Sequence, residues 1–441
     1  MARRKTVRLS LLLALTAPDA ALLANGVNNN GASGRGRALN GATVAGPTDA
    51  IDAMATNPAA LIDLDRSWTF GLVGAYAKGR YSKAGERPVR LMSEFGVAPE
   101  LGLALPFHES LTLGLSVAPE QLRAVEWRYR DAPGGLDGRT SYGFRNHRSE
   151  FAGVRSALGL ATRLGEQFSL GASAGLVYER INLAAPYIFQ SEPRLGGVKA
   201  ALDLETEGLA FNADLGLIYR ASDRLQFGMR YRTETEIDSH GDADGNAGAQ
   251  FRSIGLSHVP GMFHYDAEVE TTLPRSVSAG LSWQAADRVR LFAQTEWINW
   301  NSAFDRLTVK LSDGTNTAVN SLAGSDDVVD HVPLDWEDRF VYRLGIEFEP
   351  AEKFWLRAGY SYGRSPIPVE NITALNAAIA EHTLSAGVGF MLVETTVDIA
   401  YQFDLPSAAD VGRSNIRSGE YSNSTTEIES HWVGVSVSVR F

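Results

Sequence analysis

From residue 66 onward the chain follows a two-residue rhythm. In the C-terminal run "HWVGVSVSVRF", Val433, Val435, Val437, Val439 and Phe441 fall on one face, and Gly434, Ser436, Ser438 and Arg440 on the other. In "TTVDIAYQFDL", Val397, Ile399, Tyr401, Phe403 and Leu405 oppose Asp398, Ala400, Gln402 and Asp404. In "RLQFGMRYRT", Leu225, Phe227, Met229 and Tyr231 oppose Arg224, Gln226, Arg230 and Arg232. Side chains alternate across a strand, so each run predicts a strand with one apolar and one polar face. A soluble sandwich also alternates, but it hides the apolar face in a core. Here the small and charged face suits a lumen and the apolar face suits lipid. Trp283, Trp297, Trp300, Tyr360 and Tyr362, near strand ends, are candidates for interfacial girdles.

The connections between strands alternate in length. Short polar turns are expected at 106–111, 164–169, 221–225, 285–289, 350–354 and 392–396. Long loops are expected near 82–93, 128–146, 184–200, 238–262, 311–333, 364–380 and 405–428. Together these connections imply an all-β, antiparallel transmembrane barrel of 14 strands over residues 66–441. An even count puts both ends on the periplasmic side, where short turns belong. The last residue, Phe441, resembles the C-terminal aromatic signal read by bacterial barrel-assembly machinery.

Residues 25–65 break the rhythm. "NGASGRGRALNGATVAG" is rich in glycine, and "PTDAIDAMATNPAALIDL" suits short helices, with Thr48 or Asp49 as N-cap and Pro58 ending a turn. So few large apolar residues cannot form a core alone. A barrel lumen would supply the missing walls, which makes this segment a helical hatch. Ahead of it, residues 1–24 carry Arg3, Arg4, Lys5 and Arg8 and then an apolar run from Leu9 to Ala17, the pattern of a secretory signal peptide.

Composition narrows the function. The formal charge of −11 becomes −14 once four basic residues and one acid leave with residues 1–24, which argues against a nucleic-acid partner. There are no cysteines, so disulfides, Cys-bound zinc and a Cys nucleophile are excluded. No apolar run beyond the signal is long enough for a transmembrane helix, and a closed barrel is the other structure that satisfies its backbone inside lipid.

Three motifs mimic chemistry. Gly171 to Gly175, "GASAG", fits a nucleophile elbow, but Ser173 sits inside an alternating strand rather than on a strand-to-helix turn; the small residues more simply make room for the hatch. "DADGN", Asp242 to Asn246, starts like a calcium loop, yet Ala247 replaces the turn glycine and Ser253 the final glutamate. Asp326, Asp327 and Asp330 read as acids of a solvated external loop. No metal or cofactor site is expected.

The chain resembles the outer-membrane long-chain fatty acid and hydrocarbon transporter family. The resemblance rests on the glycine- and alanine-rich lead into Asn57, Pro58 and Ala59, "GLSVAPEQLRAVEW" on the third strand, "SLGASAGLVYERI" on the fifth, "WINWNSAFDRL" on the ninth and "GYSYGRSPIPVEN" leaving the eleventh. It implies passive uptake of hydrophobic compounds: capture at extracellular loops, transfer to a site near the hatch, and lateral release at a kink in strand three. The kink maps to Pro119, Glu120, Gln121 and Leu122; a proline there fits either a release gap or an ordinary bulge that sets curvature. Capture surfaces are expected at Leu136, Phe144, Ile188, Phe189, Met262 and Phe263. Where the family carries an inward basic residue seven positions past Tyr178, this chain has Ala185, so the ligand is neutral or another lumen cation, Arg230, Arg232, Arg343 or Arg357, takes over. The alternative for those arginines is pairing with Glu347, Asp398 or hatch acids.

The expected protein is therefore a monomeric outer-membrane channel without enzymatic activity, bathed by lipid and lipopolysaccharide. The competing readings are a porin for polar solutes, an outer-membrane esterase or lipase barrel, and an adhesin. The esterase would need a Ser/His pair on one face, but His431 alternates with Ser436 and Ser438.

Overall fold

The computed structural model describes residues 30–46, 49–92, 95–417 and 421–441; the signal segment 1–24 and Thr48 lie outside them. Fourteen antiparallel strands close into a barrel. The first is Ser67–Lys83, followed by Gly96–His108, Leu111–Arg130, Phe144–Leu164, Phe168–Ile188 and Lys199–Ser222. The seventh to tenth strands are each interrupted once: Leu225–Arg232 with Thr235–Asn246, Met262–Leu273 with Ser276–Ala286, Val289–Ile298 with Arg306–Ser312, and Val328–Pro333 with Arg339–Ala351. The last four are Phe354–Gly363, His382–Leu392, Thr395–Val411 and Ser424–Arg440. Closure comes from pairing of the first strand with the fourteenth, Ser67 against Arg440 through Lys83 against Ser424. Joining the first strand to the last removes the sheet's two terminal edges, as hydrocarbon requires.

The alternation points the way the sequence implies. Phe70, Leu72, Phe227, Met229, Tyr231, Ile399, Tyr401, Val433 and Val435 face outward and are exposed, while Arg230, Asp398, Gln402 and Ser436 are buried on the lumen side. One girdle candidate differs. Trp300 begins a one-turn helix, Trp300–Ala303, in the break of the ninth strand and is buried against Phe304 and Trp336. The helical turn removes it from the outward row and carries it into the barrel mouth.

The lumen holds the N-terminal segment as a hatch. Helix α1, Ser33–Ala38, and helix α2, Ala50–Thr56, precede a 3₁₀ turn, Pro58–Asp63. Asp49 caps α2, its side chain accepting from Asp52 N. Burial pushes the Asp49 carboxyl above the usual carboxylate range despite that bond. Pro58 starts the 3₁₀ turn rather than ending one, and Asn57 caps it. Proline suits a first helical position because its absent N–H would have no partner there. The wall makes room with glycines: a Cβ on Gly171 would lie 2.2 Å from Ala59 N, and one on Gly216 2.0 Å from Asn57 Oδ1. Asn57 also donates to Val44 O (2.7 Å) and Leu217 O (3.1 Å), joining hatch to wall.

Strands of up to 24 residues outrun the 9 to 11 or so that cross a bilayer, so the barrel continues as a wall beyond it. At that end the long loops fold inward into two apolar cores. One joins Trp127, Tyr129, Trp300, Phe304 and Trp336 to Ile367, Ile372 and Ala377–Ile379 of the loop after the eleventh strand. The other joins Phe189, Leu195, Phe251, Phe263, Tyr265 and Val319.

Candidate functional site

The wall has an opening between its second and third strands. Their ladder runs from His108 and Leu111 to Leu101 and Val117 and stops. Beyond that point Gly96–Glu100 stays paired with the first strand, and Pro119 and Gln121 with Val154 and Gly153 of the fourth. Higher up, Leu91 bridges to Trp127, and Met92 N donates to Glu126 O (2.8 Å), closing the far end. Pro99 and Pro119 both lie in the unjoined stretch. A proline brings no N–H, so neither can donate a ladder bond across it.

The kink is a β-bulge. Pro119 and Gln121 pair with adjacent residues of the fourth strand, so Glu120 is the extra residue. Because side chains alternate, one inserted residue reverses which positions face inward. Below it Thr112 and Ser116 are buried in the lumen; above it Gln121, Arg123, Val125, Trp127 and Tyr129 are. Glu120 reaches the lumen and bonds Arg232. Gln121 donates to Glu179 (2.6 Å), and Leu122 packs on Val73, Ala75, Ala98 and Trp432.

Behind the opening lies a cavity of about 110 Å³ shared by the wall (Glu100, Pro119, Glu120) and the hatch (Arg37, Ile51, Met54, Thr56). It is charged. Asp214 receives Arg155 (2.9 Å), Arg230 (3.0 Å) and Arg232 (2.8 Å), and Glu296 receives Arg343 (2.7 Å). Arg230 and Arg343 thus line this cavity with their charge already met. Arg357 pairs with Glu347 and Asp398, both at 2.6 Å, and the hatch residue Arg35 joins Glu347 at 2.8 Å. The hatch is fastened beside the opening by Arg37, which donates to both oxygens of Glu100 (2.9 and 2.7 Å), with all these atoms buried.

A second cavity, about 150 Å³, lies in the barrel mouth among apolar side chains: Phe151, Ile181, Leu183, Ala185, Ile188, Val269, Phe304, Leu307, Trp336 and Leu375. Arg123, Gln190 and Arg417 add a polar part to the lining, and the volume is about that of a void that accepts a benzene-sized solute. Of the loop residues expected to capture ligand, Ile188 lines it. Phe189 and Phe263 are packed in the loop core instead, because the long loops carry enough apolar residues to bury one another. Leu136, Phe144 and Met262 lie exposed on the outer surface, outside the cavity lining.

The other motifs take definite places in the barrel. Ser173 bonds Arg155 (2.9 Å) and Asp214 (3.2 Å) as part of the ion network; of the small residues around it, Gly171 serves the hatch and Gly175 makes room for Arg155. Asp330 is a buried anchor rather than a solvated acid, accepting from Tyr187, from Gln190 N (2.7 Å) and from Glu192 N (2.9 Å). His431 Nδ1 meets Tyr401 Oη at 2.6 Å on the outer face, turned away from the buried Ser436. Asp242, His264 and Asp266 come within reach of one another across neighbouring strands, which residue spacing within "DADGN" could not reveal.

The same architecture recurs among solved structures. The chain superposes on the toluene transporter TodX of Pseudomonas putida with a TM-score of 0.73 at 17% identity, covering 94% of this chain and 99% of that one. A Pseudomonas aeruginosa FadL homologue gives 0.72 at 15% identity, covering 96% of this chain and 100% of that one. By sequence, the long-chain fatty acid transport protein of Escherichia coli K12 is 22% identical over 423 residues, 88% of this chain and 86% of that one. A family model for outer membrane protein transport proteins matches residues 11–441. With the whole barrel and the hatch inside that match, the chain belongs to the outer membrane protein transport protein family (OMPP1/FadL/TodX), whose members carry fatty acids or hydrocarbons across the outer membrane of Gram-negative bacteria.

Proposed function

We propose that this protein is a passive, monomeric channel that captures hydrophobic compounds in the apolar cavity of its mouth and releases them sideways through the opening between the second and third strands. The observation that carries this reading is the ladder that stops at Leu101 and Val117 with a proline on each side beyond it. A lateral exit delivers an apolar solute into hydrocarbon beside the hatch, so it need not traverse the hatch to the far end of the lumen. Entry into the mouth removes apolar surface from water, and each apolar wall residue that covers solute contributes at the usual scale of about 25 cal/mol per Å². The sum holds a small solute briefly and still lets it leave.

The names of the relatives support two ligand chemistries, long-chain fatty acids and toluene. A cavity the size of a benzene favours a single ring, or the end of a longer chain. The exposed apolar wall supports a belt of bound lipid around the barrel.

The test is uptake of labelled toluene and of a labelled fatty acid by cells that lack their own transporter and express this chain. Replacing Pro99 and Pro119 by valine should cut uptake while binding to the purified protein persists. Full uptake by that variant would reject lateral release. A porin for polar solutes is the second reading, favoured by the arginine and carboxylate lining; it requires sugar-sized solutes to pass with the hatch in place, which planar-bilayer conductance measures directly.

A further inference from the structure

Most lumen arginines are matched to carboxylates: Arg155, Arg230 and Arg232 to Asp214, Arg343 to Glu296, Arg357 to Glu347 and Asp398. Arg123 is different. It stands on the third strand just above the bulge and is only 6% exposed. Its guanidinium makes one hydrogen bond, from Nη2 to Leu375 O at 3.2 Å, and its Nε has no partner. Among the described residues it joins no ion pair within 4.0 Å. Its nearest ring is Phe151, with the guanidinium carbon 6.0 Å from the centroid. Both Arg123 and Phe151 line the apolar cavity of the mouth.

A buried guanidinium without a counter-charge is costly, and the cost falls when a ligand supplies one. The cavity walls accept an apolar body; the guanidinium offers a planar fork that matches a carboxylate. We infer that Arg123 is a specificity-determining residue that anchors the carboxylate of an anionic amphiphile whose apolar part fills the mouth cavity. The bulge places it there: with Glu120 left out of the ladder, Arg123 lies opposite Phe151 on the inward face, whereas unbroken alternation from Thr112 and Ser116 would send position 123 outward. The anchor therefore stands on the third strand, while Ala185 of the fifth lies in the wall of the same cavity without a charge. The inference rests on the mouth cavity being the capture site.

The experiment compares probes that differ only in head group. Full-length protein in detergent is titrated at pH 7 with 4-methylbenzoate and with toluene, and separately with octanoate and octanol, in the wild type and in Arg123→Gln and Arg123→Lys. A retained melting transition confirms that each variant is folded. We expect the wild type to prefer each carboxylate over its neutral partner by about tenfold or more. Arg123→Gln should abolish that preference by weakening carboxylate binding about tenfold more than toluene binding, and Arg123→Lys should keep part of it. Equal binding of charged and neutral probes to the wild type, or an equal loss of both in Arg123→Gln, overturns the anchor alone. Failure of every probe to bind overturns the capture cavity, and the anchor with it.

Discussion

Pro99 and Pro119 mark the two sides of the barrel's opening, each two residues beyond Leu101 and Val117, the last pair that joins the second and third strands. Each side is held by its outer neighbour, so the opening interrupts one ladder without unravelling the wall. The first prediction concerns this pair. Valine at both positions restores an N–H on each strand and a side chain suited to a pleated wall. The Pro99→Val/Pro119→Val protein should insert and melt at least as well as the parent and release ligand more slowly. Uptake in cells reads the effect, and transport at the parental rate would mean that the exit lies elsewhere.

Arg37 and Glu100 supply the second. Their two buried hydrogen bonds hold the hatch to the second strand beside the opening. Truncating one partner leaves a charge buried and unmatched, at a cost of about 3–5 kcal/mol, whereas replacing both with apolar groups is close to neutral. Arg37→Met should loosen the hatch and raise single-channel conductance in planar bilayers, and Arg37→Met/Glu100→Leu should restore the quiet state. A single variant as quiet as the parent would show that this pair does not fasten the hatch.

The third concerns the packing of the Asn-Pro-Ala turn. Gly216 faces Asn57 so closely that a Cβ would stand 2.0 Å from its Oδ1. Gly216→Val must displace either the turn or the sixth strand, and the turn, with its short helices and few large side chains, yields first. The expected outcome is an inserted barrel with proteolytically accessible residues 30–63. Parental protease resistance would contradict the close fit.

Much of this was legible in the sequence for a local reason: alternation and turn length are properties of adjacent residues, so Val433–Phe441 and Ile399–Leu405 announce their faces unaided. Tertiary relationships are another matter. "VAPE" occurs at 97–100 and again at 117–120, yet only the register of two strands shows that both prolines fall in the same unjoined stretch. Arg123 hides for a related reason, since counting parity from Leu113 and Leu115 sends it outward until the bulge is known. Phe189 and Phe263 look available in a loop because nothing local says that long loops will bury one another.

Ala185 carries the last prediction. It is nearly buried and lines the mouth cavity opposite the bulky Phe304 and Trp336, in a void of about 150 Å³. A larger side chain at this position would occupy space that a ligand uses. Filling an existing void commonly stabilises a protein by about 0.5–2 kcal/mol, whereas overfilling a packed core destabilises it. Ala185→Phe should therefore leave the melting temperature level or higher while binding of toluene and 4-methylbenzoate falls together, because the loss is one of volume and not of charge. That joint loss separates this variant from Arg123→Gln, which weakens the carboxylate more than toluene. If Ala185→Phe binds both probes as the parent does, ligand does not occupy the mouth cavity, and capture must be sought among the exposed residues Leu136, Phe144 and Met262.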